Sequence, residues 1–119
     1  MPDAPRDPQL LKGVLPLLIL ALLAEQESYG YELVGRLTDA GLRGIATGSV
    51  YPVLSRLERD HLISSCLVAS PSGPARKYYR PTPAGESELR ADSAEWWTLV
   101  TVVRHVLSTT PATPAELQE

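Results

Sequence analysis

The sequence predicts a mainly α (α+β) fold: a winged helix-turn-helix domain with a two-stranded β-wing and a long C-terminal dimerisation helix. Three observations lead there. Within Thr47–Leu62, Val50, Val53, Leu54 and Leu57 stand at i, i+3, i+4 and i+7, which is one face of an α-helix. Two strand-like segments, 62–70 and 76–82, flank the turn-forming run Pro71-Ser72-Gly73-Pro74-Ala75. Then Thr82-Pro83 reads as an N-cap followed by proline at the first helical position, opening a helix that can continue to about Ser108.

At 119 residues with 44% hydrophobic content the chain is expected to form one compact domain. Its parts are a leader (1–9), the winged helix-turn-helix domain (10–81), the dimerisation helix (82–108) and a tail (109–119). The single cysteine, Cys66, excludes an internal disulfide and points to a reducing compartment. The N-terminus lacks the basic region and cleavage pattern of a signal peptide. The apolar run from Val14 to Ala24 is shorter than the roughly 20 residues that span a bilayer. The expectation is a cytoplasmic protein with no membrane partner. No metal-spaced His or Cys cluster, Cys/His dyad or phosphate-binding glycine loop is present, so no metal, cofactor or enzymatic activity is expected.

The elements follow in order. Leu10 to Glu25 forms a helix apolar on nearly every side, which needs cover from a partner chain or the C-terminal segment. Pro16 requires either a regular start near Val14 or a kink after Gly13. Ser28 is placed to cap a second helix that begins at Tyr29 and turns Leu33 and Leu37 inward. Gly30 and Gly35 suggest close approach by another element, and Gly41 suits the left-handed position after the helix end.

The next helix is expected to be capped by Thr47 or Ser49, and His61 falls where its left-handed C′ residue should stand. In the wing, one of Tyr78 and Tyr79 should pack into the core and its neighbour stay outside. Cys66 is expected to be an inert, semi-buried thiol. On the last helix Leu89, Trp96, Val100, Val103 and Leu107 step by seven, four, three and four, a coiled-coil-like seam that needs a second chain. The homodimer interface is assigned to Leu18, Leu89, Trp96, Trp97, Val103 and Leu107.

The helix over 47–60 turns Tyr51, Pro52, Ser55, Arg56 and Arg59 away from its apolar face. Hydroxyls, a phenol and guanidiniums are groups that read base edges and phosphates. Net charge is −3, an unpromising total for nucleic acid, but it is unevenly spread. Residues 42–81 carry six basic and two acidic groups, while the flanking segments are net acidic. An anion-binding face on an acidic protein is therefore expected over this helix and wing, with Arg76, Lys77 and Arg80 contributed by the second wing strand.

The Tyr-Gly-Tyr-Glu-Leu helix, the combination of Tyr51-Pro52 with Leu54 and Leu57-Glu58, Gly73-x-x-Arg76-Lys77-Tyr78-Tyr79, and Thr82-x-x-Gly85 together resemble the PadR family of transcriptional regulators. The resemblance covers about residues 10–108, and the short length with one final helix looks like the small subfamily that includes multidrug-responsive regulators. It implies a dimeric winged-helix repressor bound to double-stranded operator DNA. Family DNA contacts carried onto this sequence fall on Ser49, Tyr51, Pro52, Ser55 and Arg56, with Arg76 and Lys77 in the wing. It also implies a planar apolar effector at the dimer interface beside Trp96, with Leu11, Leu15 and Val100 as neighbours. The competing reading is a winged-helix interaction or dimerisation module without DNA binding. The concentrated positive charge at helix and wing argues against it.

Overall fold

The computed structural model describes residues 8–109. The elements are α1 (Pro8–Glu25), β1 (Ser28–Tyr29), α2 (Gly30–Asp39), α3 (Thr47–Arg59), β2 (Ile63–Val68), β3 (Arg76–Pro81) and α4 (Pro83–Ser108). The strands form one antiparallel sheet in the order β1-β3-β2. Residues through Leu89 make one compact unit, and the rest of α4 belongs to a second.

Leucine and isoleucine spacing builds the core of the first unit. Leu15, Ile19 and Leu23 recur every fourth residue of α1 and meet Leu33 and Leu37 of α2 and Val50, Leu54 and Leu57 of α3, all buried. Ile63 and Tyr79 close the core from the sheet. Each such aliphatic side chain contributes roughly 1.5–3 kcal/mol on burial. The apolar surround of α1 is only partly used: Leu18 and Leu22 are half-buried against the core, while Leu10 is exposed.

Several local expectations change. Helix α1 is uninterrupted from Pro8, so it neither begins near Val14 nor leaves Pro8 and Gln9 in a leader. Pro16 sits in its interior, forgoing one amide donor. Ser28 does not cap α2. It lies in β1, opposite Tyr79, and the N-cap position belongs to Tyr29, which makes no side-chain cap. The Ser28 hydroxyl instead accepts a hydrogen bond from Arg36 Nη1 at 2.8 Å. Arg36 also donates to the carbonyls of Leu22 and Gln26, each at 2.9 Å, so one guanidinium ties α2 to the last turn of α1 and to the residue that follows it. Neither Thr47 nor Ser49 caps α3; Ala46 holds that place, and Pro52 lies in the second turn.

Helix endings follow the expected chemistry. Gly41 has φ 119°, its amide bonds to Thr38 and that of Leu42 to Leu37, the paired reverse bonds of a left-handed stop. His61 repeats this at the end of α3, with φ 60° and the bonds His61 to Glu58 and Leu62 to Leu57. At the start of α4, the Thr82 hydroxyl accepts from the Gly85 amide at 3.0 Å and donates to the His61 carbonyl at 2.7 Å. A β-carbon on Gly85 would overlap the Leu62 carbonyl oxygen, so this joint requires glycine. Gly35, by contrast, is exposed and open on its free side, so the close approach expected there is not made.

The sheet has a third strand beyond the two of the wing. Register sorts its side chains by face: Tyr79, Lys77, Ile63 and Ser65 share one, and Tyr78, Arg76, Arg80 and Cys66 the other. Tyr79 is buried while Tyr78 packs edge-on against Tyr29, ring centroids 5.3 Å apart. Cys66 lies on the face away from Ile63 and is exposed, not semi-buried as the sequence suggested.

Candidate nucleic-acid interface

Burying Val50, Leu54 and Leu57 fixes the rotation of α3, and Ser49, Tyr51, Pro52, Ser55, Arg56 and Arg59 are consequently all exposed. They divide by side. Ser49, Pro52 and Arg56 face the N-terminal half of α1 across a cleft of about 410 Å³. Tyr51 faces the wing across a second groove of about 360 Å³, which Arg76 and Lys77 also line. Arg59 keeps only a loose surface pair, its Nε 3.8 Å from Asp60 Oδ1. Arg56 has no ion-pair or hydrogen-bond partner among the described residues, leaving its donors open.

The wing cations have distinct environments. Arg76 lies over the Tyr29 ring, 4.6 Å from its centroid, a stacking that holds the guanidinium at the groove wall. Lys77, on the sheet face towards α3, donates to Glu58 Oε1 at 3.0 Å. The other Glu58 oxygen accepts from Ser65 at 2.5 Å. These two hydrogen bonds, the serine's first, hold the Glu58 carboxyl below its usual range, and the bond to Glu58 raises Lys77. Burial raises Tyr79 beside them. Glu58 thus fastens wing to helix and offsets part of Lys77's charge. Sequence reading placed Lys77 at the phosphates without seeing this partner, because the register that brings them together spans 19 residues.

Pocket and interface residues assigned from sequence fall in different places. Leu15 is buried in the core of the first unit, and it and Leu11 line the α1–α3 cleft. Leu18 and Leu89 pack half-buried against the same core. On α4, Trp96, Trp97, Val103 and Leu107 are exposed and Val100 is half-buried. Leu99, Val102 and Val106, absent from the expected seam, are exposed too, so the apolar surface of α4 is wider than one stripe. Among the described residues no group of three potential metal ligands occurs, and no helix is long and apolar enough to cross a membrane.

A model of the transcriptional regulator PadR-like family matches residues 19–91, more than half of the chain. The chain belongs to the PadR-like family of transcriptional regulators. A transcriptional regulator of Mycobacterium tuberculosis is 39% identical to this PadR-like chain over 82 residues, covering 68% of this chain and 74% of the relative. A PadR-like transcriptional regulator from Bacillus cereus superposes with a TM-score of 0.75 at 40% identity, covering 83% of this chain and 96% of that one. A PadR family regulator from Eggerthella lenta gives 0.77 at 37% identity, covering 86% and 88%. The protein is a DNA-binding winged-helix transcriptional regulator, and the family's members are regulators rather than enzymes. The family match ends at residue 91, before Trp96 and the other exposed apolar residues of α4.

Proposed function

We propose that this PadR-like regulator is a homodimeric repressor that reads operator DNA with Ser49, Tyr51, Pro52, Ser55, Arg56 and Arg59 of α3, while Arg76 and Lys77 of the wing engage the backbone. The observation that carries this reading is the exposed polar face of α3, set beside a groove with wing cations on its wall. One such helix per subunit enters the major groove, so a dimer addresses two half-sites.

Dimerisation is supported by the exposed Trp97, Leu99, Val103 and Leu107 of α4, apolar surface of the kind that marks an interface. Trp96 and Val100 stand one turn apart on that helix and supply the indole face on which a planar apolar effector would stack, releasing the operator by altering dimer geometry.

Fluorescence anisotropy with labelled DNA from upstream of the regulator's own gene, at several salt concentrations, tests the reading. Tight binding relative to a scrambled duplex, falling steeply with salt, is expected. Equal or absent binding to both duplexes at low salt, with the dimer intact, would sink it.

A further inference from the structure

We propose that Tyr29 is a positioning residue for DNA binding: its ring holds the Arg76 guanidinium in place, before DNA arrives, for contact with a backbone phosphate. The inference rests on the assignment of Arg76 to DNA and names the residue through which that cation is made ready.

The juxtaposition follows from register. Tyr29 of β1 stands opposite Tyr78 of β3, and Arg76 lies two residues before Tyr78 on the same strand. Alternation therefore puts all three side chains on one face of the sheet, with Arg76 diagonal to Tyr29. Their contacts agree with that placement. The Tyr78 ring meets Tyr29 edge-on at 5.3 Å, and the Arg76 guanidinium carbon lies over the Tyr29 ring, 4.6 Å from its centroid.

The two partners differ in how firmly they are held. Tyr29 is half-buried and anchored twice by its backbone, as a strand residue and as the N-cap of α2. Arg76 is exposed at the start of β3, beside the wing turn, and its side chain has no hydrogen bond or ion pair among the described residues. Stacking on the ring is the interaction that orders its guanidinium.

An aromatic support suits a phosphate-binding cation. A guanidinium held over a ring surrenders none of its N–H donors to a competing acceptor, so the fork that matches a phosphate stays open. Lys77 in the same groove is held instead by the Glu58 carboxylate at 3.0 Å, which occupies a donor and offsets its charge. An unsupported arginine would have to be ordered as DNA binds, at a cost in affinity. Tyr29, Tyr51, Arg76 and Lys77 all line this groove, so the stack opens onto the space beside the exposed face of α3.

The test measures DNA anisotropy with the full chain and four variants. Arg76→Ala is expected to lose about tenfold in affinity and about 0.9 in salt slope. Tyr29→Leu should lose about fivefold with the slope unchanged, because no charge is removed. Tyr29→Phe keeps the ring and should stay within about twofold of wild type. Tyr29→Leu with Arg76→Ala should bind no more weakly than Arg76→Ala alone, since the ring then has no guanidinium to hold. Independently of any variant, relaxation of the Arg76 Nε–H in the DNA-free chain should report a restrained side chain.

Additive losses in the double variant would assign Tyr29 a merely structural role and overturn the proposal. So would wild-type affinity in Tyr29→Leu, or Arg76 motion as free as that of exposed Arg59. A loss in Tyr29→Phe equal to that in Tyr29→Leu would overturn it too, by showing that the hydroxyl itself touches DNA. Wild-type affinity and slope in Arg76→Ala, with the Arg76 side chain still restrained, would instead refute the DNA assignment of Arg76 and leave only the stack.

Discussion

The Tyr51 ring lies directly over Gly30, so close that a β-carbon at residue 30 would overlap the ring. Gly30 opens α2 and Tyr51 projects from the exposed face of α3 proposed to read DNA, so on that proposal the glycine supports a DNA-facing side chain. Gly30→Ala should therefore swing Tyr51 aside at little cost to the fold, within about 1 kcal/mol, because the far end of a tyrosine can move. DNA affinity should fall by about tenfold. Gly85→Ala meets backbone at Leu62 and has no such escape, so a loss of about 3 kcal/mol or more is expected. Thermal denaturation of both variants, with anisotropy on the first, separates the two cases.

Glu58 predicts a pH dependence with a definite sign. Its folded-state pKa lies below the ordinary 4.5, so its stabilisation is present above that value and is lost as the pH falls through the depressed one. Lys77 is raised above 10.5, so its share is complete below that value and fades only as the pH rises past it. Stability from this pair should be flat across neutral pH, with a decline below 4.5 that Glu58→Gln removes. Urea denaturation of both proteins between neutral and acid pH measures it; matching acid slopes would exclude Glu58 as a source.

Arg56 and Lys77 should differ in their electrostatic effect on DNA. Arg56→Ala removes an unpaired cation, and the slope of log affinity against log salt should fall by about 0.9. Lys77→Ala removes a cation partly offset by Glu58, so its slope should change by less than half as much. Equal slope changes would indicate that DNA draws Lys77 away from Glu58.

Val103→Asp with Leu107→Asp should convert the proposed dimer to monomer in sedimentation equilibrium, since a buried interfacial carboxylate is costly. The exposed α4 positions let the helix itself tolerate both changes, so circular dichroism should stay near wild type. An unchanged mass would place the interface elsewhere.

The parts legible in sequence were those set by local periodicity and turn chemistry. The Val50–Leu57 spacing, the His61 and Gly41 helix stops and the Thr82-Pro83 start all describe physics within one turn of chain, and each recurs in the structure. What stayed hidden was long-range pairing. Strand β1 is two residues long, too short for alternation to show, and exists only because β3 lies beside it. Ser28 looked like a helix cap because its type favours one, yet burial against Tyr79 and the Arg36 guanidinium claimed it. The α1–α3 cleft likewise joins Lys12 to Arg56 across 44 residues, and no spacing rule relates them.

Thr82 gives α3 and α4 a common fastening. Its hydroxyl is bonded at once to the carbonyl of His61, the residue that terminates α3, and to the Gly85 amide in the opening turn of α4. Glycine at 85 keeps that turn seated on Leu62. A twist applied to the first turn of α4 therefore has a lever on the exit of α3 only a few bonds long. One threonine side chain thus joins the last residue of α3's stop to the first turn of α4, beside the backbone bond from the Thr82 amide to the Leu62 carbonyl.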